Sequence, residues 1–156
     1  MATQGIRHAS RAGRQVSASP VAFSALASHT LSHLGAGQNL IFEKTNVNTN
    51  NVYNPHHGVF TAPVPGIYLI TTSILANQNR EIHCDIVLNG RVVAQIYARG
   101  SDSKHDQGSQ TILLHLKQGD DVSIQNDDLD ESIVGSLYTT FSGCLLYEEE
   151  TTSIVG

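Results

Sequence analysis

The tightest constraint on the fold is a dipeptide. Asn89-Gly90 stands between two runs, "EIHCDIVL" and "RVVAQIYA", in which apolar and polar side chains tend to alternate. Asn-Gly suits the positive φ angles of a two-residue hairpin turn, and alternation is the pattern of a strand with one buried face. The alternation predicts Ile82, Cys84, Ile86 and Leu88 on one face, with His83 and Asp85 on the other.

Similar short runs fill the chain from residue 20 onward: "VAFSALAS", "NLIFEKTNV", "HGVFTA", "GIYLITTSILA", "SQTILLHLKQGDDVSIQN" and "YTTFSGCLLY". Turn-forming residues separate them at Asn51, Pro55, Gly58, Pro63 to Gly66 and Gly119-Asp120. In "FTAPVPGIYLI", two prolines stiffen a corner and Gly66 has the dihedral freedom of a sharp reversal. The expectation is strand, corner, strand, with the second strand entering a core. Only "SALASHTLSHLGAG" approaches a helical period, and its serines and glycines make a poor helix. The chain therefore reads as all-β, with about ten strands in a sandwich or jelly roll. It shows no internal repeat and no Gly-X-Y run.

At 156 residues the length suits one domain with a sizeable core. Charge is unevenly placed. Arg7, Arg11 and Arg14 form a basic leader over residues 1–18 that holds no acid. The remaining six Lys and Arg face all fourteen Asp and Glu, a net of −8 for residues 20–156. Such an acidic body argues against nucleic acid as a partner. No apolar run approaches the ~18 residues of a membrane span. The N-terminus lacks the apolar stretch of a signal peptide, so the chain is either cytosolic or begins after a removed signal.

Cys84 and Cys144 offer neither a zinc spacing nor a disulfide framework, and their apolar neighbours suggest two buried thiols. No G-x-S-x-G or H-E-x-x-H motif is present, and no enzymatic activity is expected. His56 and His57 sit between Pro55 and Gly58, the setting of an exposed turn. A transition metal there would need three or four convergent ligands.

Five pieces in order carry a family resemblance: "PVAFSALAS", "LIFEKTNVNTNNVYNPHHGVFTAPVPGIYLI", "LNGR", "QTILLHLKQGDDVSIQ" and "TTFSGCLLYEE". Over residues 19–148 the chain resembles the C1q globular domain, the head module of complement C1q, adiponectin and cerebellin. The resemblance implies a ten-stranded antiparallel jelly-roll β-sandwich, related to tumour necrosis factor, that assembles as a homotrimer. Residues 149–156 then form a C-terminal tail. "GVFTAP" would lie in the outer sheet and "GIYLI" in the inner one, with the proline corner as the crossing. Phe23, Phe42, Tyr53, Phe60, Tyr68, Phe141 and Gly143 fall on shared core positions. Cys144 replaces a frequent aromatic and Ile70 a frequent Phe. A disulfide of some complement chains starts near Cys84, but its partner position is Ala98, so the bridge is absent; Cys144 should lie on the other sheet.

The resemblance also implies calcium as a cofactor. It takes ~6–8 hard oxygens, which three copies around an axis can share. Aligned on "ILLHL", Asp106 falls on a ligand position with Gln107 beside it, and Asp102 lies in the same loop. Asp127, Asp128, Asp130 and Glu131 form a second acidic loop, read as ligand-binding. Solvated acids at a surface turn are the plainer reading of both.

The function implied is that of a secreted, extracellular pattern-recognition protein of innate immunity, lectin-like, binding microbial polysaccharides as a trimer. A receptor-binding ligand of the cerebellin or adiponectin type, or a mineral-associated calcium binder, are the alternatives. The trimer interface should exceed the ~2,000 Å² at which obligate contacts begin.

Overall fold

A computed structural model describes residues 19–129 and 131–150. The basic leader, Asp130 and positions 151–156 lie outside the described residues. Twelve strand segments form two sheets: β1 Ala22–Leu26, β2 Leu31–Leu34, β3 Lys44–Asn48, β4 Tyr53–Asn54, β5 Val59–Thr61, β6 Gly66–Ala76, β7 Glu81–Leu88, β8 Arg91–Arg99, β9 Asp106–Leu116, β10 Asp121–Asn126, β11 Glu131–Val134 and β12 Thr140–Glu148. The two above the expected ten come from short pieces such as the two-residue β4. The weakly helical "SALASHTLSHLGAG" forms β1, a bend and β2.

One sheet has seven strands. β6 is its spine, flanked by β9 along its whole length on one side and by β12 and β11 on the other; β1 and β3 extend it beyond β12, and β2 beyond β11. The second sheet runs β4-β5-β10-β7-β8. All pairings are antiparallel, and the two-residue link between β7 and β8 allows no other arrangement for that pair.

The Asn89-Gly90 hairpin forms as expected. Both residues have positive φ, 48° and 79°, which matches the turn's twist to that of the strands. Leu88 and Arg91 close it. The proline corner also carries the chain from one sheet, through β5, to the other, through β6. What Gly66 supplies there is room rather than an unusual dihedral. A Cβ at this position would lie 2.4 Å from the Tyr147 carbonyl oxygen on β12.

Six aromatic rings fill the space between the sheets, each no more than 2% exposed. Phe23 is the hub. It stacks on Tyr53 at 5.2 Å and on Phe60 at 4.8 Å, and takes the edge of Phe141 at 4.8 Å. Stacked and edge-to-face pairs suit the ring quadrupoles and add about 0.5–1.5 kcal/mol each to the gain from burial. Ile70, Ile74, Ile82, Ile86 and Ile124 complete the core from inward positions of β6, β7 and β10. Cys84 and Cys144 lie on opposite sheets and are not joined to each other.

Candidate functional site

Alternation along β6 buries Tyr68, Ile70, Thr72 and Ile74, so Ile67, Leu69, Thr71 and Ser73 point away from the core. The register sets each beside a β9 residue: Ile67 beside His115, Leu69 beside Leu113, Thr71 beside Thr111 and Ser73 beside Ser109. β12 adds Cys144 opposite Leu69 and Ser142 opposite Thr71, while β1 and β3 add Ala22, Ser24 and Val47. The outer face of the large sheet is thereby divided into bands.

The middle band is apolar. Leu113, Leu69, Cys144 and Ala22 cross the sheet in one row, and Val47, opposite Ser24, stands at the end of the next; Leu113 is 60% and Val47 45% exposed. A shallow groove of about 240 Å³ runs along it beside Ala22, Val47, Leu69 and Cys144. Next to it lies a band of hydroxyls paired side chain to side chain: Thr71 with Thr111 at 2.9 Å, Ser73 with Ser109 at 2.8 Å, and Ser142 with Ser24 at 3.0 Å. At the opposite edge, His115 meets Glu149 at 2.7 Å, near exposed Tyr147.

The residues singled out for calcium do not converge within one copy. Asp106 and Gln107 are consecutive on β9 and so point to opposite faces. The Asp106 carboxylate accepts the Arg99 N–H through Oδ2 at 2.9 Å. The Gln107 amide instead caps the hydroxyl band, donating to Ser73 Oγ at 2.8 Å and to the Tyr138 carbonyl at 2.9 Å. Asp102 is exposed on the Ser101–Lys104 turn. Asp127 and Asp128 are exposed after β10; the Asp127 N–H donates to the His83 carbonyl at 3.0 Å, and the Asp128 carbonyl accepts from Asn126. Asp130 lies outside the described residues, and Glu131 opens β11 opposite Leu34. Among the described residues no three His, Cys, Asp or Glu side chains come together as a metal set.

His56 and His57 occupy an exposed turn, as their neighbours suggested. On the outer face of the smaller sheet, His83 packs against Tyr97 at 4.9 Å and pairs with Glu81 at 3.0 Å. The hydrogen bond from His83 holds the Glu81 carboxyl below its ordinary pKa.

Comparison with known proteins decides the family. The family model described as "C1q domain" matches residues 22–146. The chain belongs to the C1q-domain family. Among curated proteins, it is 29% identical over 129 residues to mouse complement C1q tumor necrosis factor-related protein 3, covering 82% of this chain and 52% of that one. It is 27% identical to the heavy metal-binding protein HIP of Mytilus edulis, covering 81% and 61%. The chain thus spans about half to three-fifths of the length of these relatives. Among solved structures, it resembles the globular domain of zebrafish complement 1qA protein, with TM-score 0.70, 22% identity and coverage of 83% and 99%. It also resembles an Eiger TNF from S. frugiperda, with TM-score 0.71, 15% identity and coverage of 87% and 98%. These likenesses confirm the jelly-roll sandwich. No helix among the described residues is long and apolar enough to cross a membrane.

Sequence reading named the individual strands that build this C1q-domain surface but missed its bands. A period-two reading of "GIYLITTSILA" against "DQGSQTILLHL" does find them, once the register is known.

Proposed function

We propose that the chain is a secreted recognition protein that assembles as a homotrimer and binds microbial surface carbohydrates. The observation that carries the assembly is the apolar band on the outer face of the large sheet. The row from Leu113 to Ala22 crosses four strands, and Val47 on β3 lines the same groove, the kind of exposed apolar patch that marks a protein contact. A second copy is the occupant that this family's fold favours. Three weak carbohydrate sites on one rigid body then gain by effective concentration, with no new contact at any single site.

Calcium enters this reading through Asp106, one carboxylate per copy, with Oδ1 as the atom left to a cation. The heavy metal named in the mussel relative finds less support, since the described residues bring no three suitable ligands together.

The test is sedimentation equilibrium at micromolar concentration, followed by binding to a panel of microbial polysaccharides with calcium and with chelator. A trimer with saturable polysaccharide binding supports the proposal. A monomer removes the assembly and any shared calcium site with it. A trimer that ignores every polysaccharide and captures one protein saturably would make it a receptor ligand.

A further inference from the structure

Three of the six Lys and Arg in the acidic body gather at one end of the molecule. Arg80 lies in the β6–β7 turn, Arg99 ends β8, and Lys104 closes the turn that follows. Arg80 and Arg99 line a cleft of about 670 Å³, together with Asn79, Glu81, Ser101, Asp102 and Ser103.

Backbone contacts hold the two turns that form it. The Gly100 N–H donates to the Arg80 carbonyl at 2.8 Å, the Asn79 N–H donates to the Ser101 carbonyl at 3.2 Å, and the Arg80 N–H donates to the Asn77 carbonyl at 3.1 Å. Gly100 passes so close to Asn77 that a Cβ would lie 2.1 Å from its carbonyl oxygen. The walls are therefore fixed before anything binds, which lowers the ordering cost of binding.

Two carboxylates close to Arg99 already have hydrogen-bond partners, although Arg99 also attracts Glu81 through space. Glu81, its cross-strand neighbour, gives Oε1 to His83 at 3.0 Å, and Asp106 gives Oδ2 to the Arg99 backbone N–H at 2.9 Å. Neither arginine forms an ion pair among the described residues. Two acids line the cleft, Glu81 and Asp102; the first is held by His83, and the second is exposed on its turn.

We propose that this cleft binds a sulfate or phosphate group, and, on the reading of carbohydrate recognition above, one carried on a polysaccharide. Guanidinium forks match such oxyanions two bonds at a time, which an ammonium does not. Asn79, Ser101 and Ser103 supply amide and hydroxyl groups for the sugar around it.

The experiment titrates the full chain with fluorescein-labelled dextran sulfate and with neutral dextran of equal length, and measures thermal protection by inorganic sulfate. Dextran sulfate should bind the unaltered chain and bind the Arg80→Gln/Arg99→Gln variant at least about tenfold more weakly, as expected for losing charge-assisted pairs. Arg91→Gln, at the other end of β8, controls for net charge and should stay within about twofold, since distant exposed charges are screened. Asp102→Asn should bind about twofold more tightly, an improvement that mere structural damage does not produce. Equal weakening by Arg91→Gln, an unaffected double variant, or equal binding of neutral dextran would overturn the anion site. Neutral dextran binding alone would leave carbohydrate recognition standing. If inorganic sulfate protects the unaltered chain but not the double variant while no polysaccharide binds, the anion site stands and carbohydrate recognition falls.

Discussion

The Tyr53 hydroxyl and the Phe42 backbone satisfy each other in the core: the phenol donates to the Phe42 carbonyl at 3.0 Å and accepts the Phe42 N–H at 3.2 Å. This pins the segment after β2, which has little ladder of its own, to the strand that opens the smaller sheet. Tyr53→Phe keeps the ring stacked on Phe23 but strands a buried donor and a buried acceptor. It should cost about 1–3 kcal/mol of stability, read as a lower urea midpoint with an unchanged slope.

Burial pushes the Tyr53 phenol up to about 12 from an ordinary 10. A raised folded-state pKa means that the folded form holds its proton more tightly than the unfolded one. The stability this contributes is complete below pH 10 and is lost as pH rises from 10 towards 12. The melting temperature should fall over that window, and Tyr53→Phe should melt with a shallower fall. An equal slope in both would place the alkaline sensitivity elsewhere.

Gly143 leaves its β12 position open for two neighbours. A Cβ there would lie 2.8 Å from the Phe23 ring and 2.9 Å from Ile70 Cδ1. Gly143→Ala should destabilise by about 1–3 kcal/mol through overpacking, and Phe23→Ala by about 3–5 kcal/mol through the cavity left beside three other rings. Denaturant unfolding of both variants checks the order. If Gly143→Ala is neutral, the hub is looser than its packing suggests.

Leu113 tests the outer face. It projects from β9 and contributes nothing to the core, so Leu113→Asp should leave the monomer's melting profile near its original value. It should nonetheless dissociate the assembly, because it places a charge on the most exposed residue of the apolar row. Sedimentation equilibrium reads this directly: a Leu113→Asp variant with unchanged mass would move the contact to another surface.

The acidic end of the pH scale has its own marker. The Asp120 carboxyl is held below its ordinary pKa by the Lys117 N–H, which donates to it at 2.7 Å, and by the Asn89 amide at 2.9 Å. A depressed folded-state pKa contributes stability that is present above the unfolded value near 4 and lost as pH falls below it. Asp120→Asn should reduce that acid sensitivity, seen by comparing unfolding midpoints at pH 5 and pH 2.5.

Local chemistry was enough to determine much of this protein. Asn89-Gly90 dictates its turn because Asn and Gly take positive φ angles cheaply between two alternating runs, and Phe23, Phe42, Tyr53, Phe60, Tyr68 and Phe141 anchor the core because each brings a large ring to an inward position. Alternation assigned Ile82, Cys84 and Ile86 to one face without any knowledge of their neighbours. The bands of the outer face were decided by tertiary structure, since Leu69 meets Leu113 and Cys144 only through the register of three strands that are distant in sequence. The same holds for the loop acids. Asp106 and Gln107 look like one site as neighbours in sequence, yet a strand turns them to opposite faces, where one holds the Arg99 backbone and the other a serine. Arg80 and Arg99 lie nineteen positions apart with a hairpin between them. Antiparallel pairing of β7 with β8 returns the chain to its starting end, and that long-range geometry alone places the two charges on one cleft.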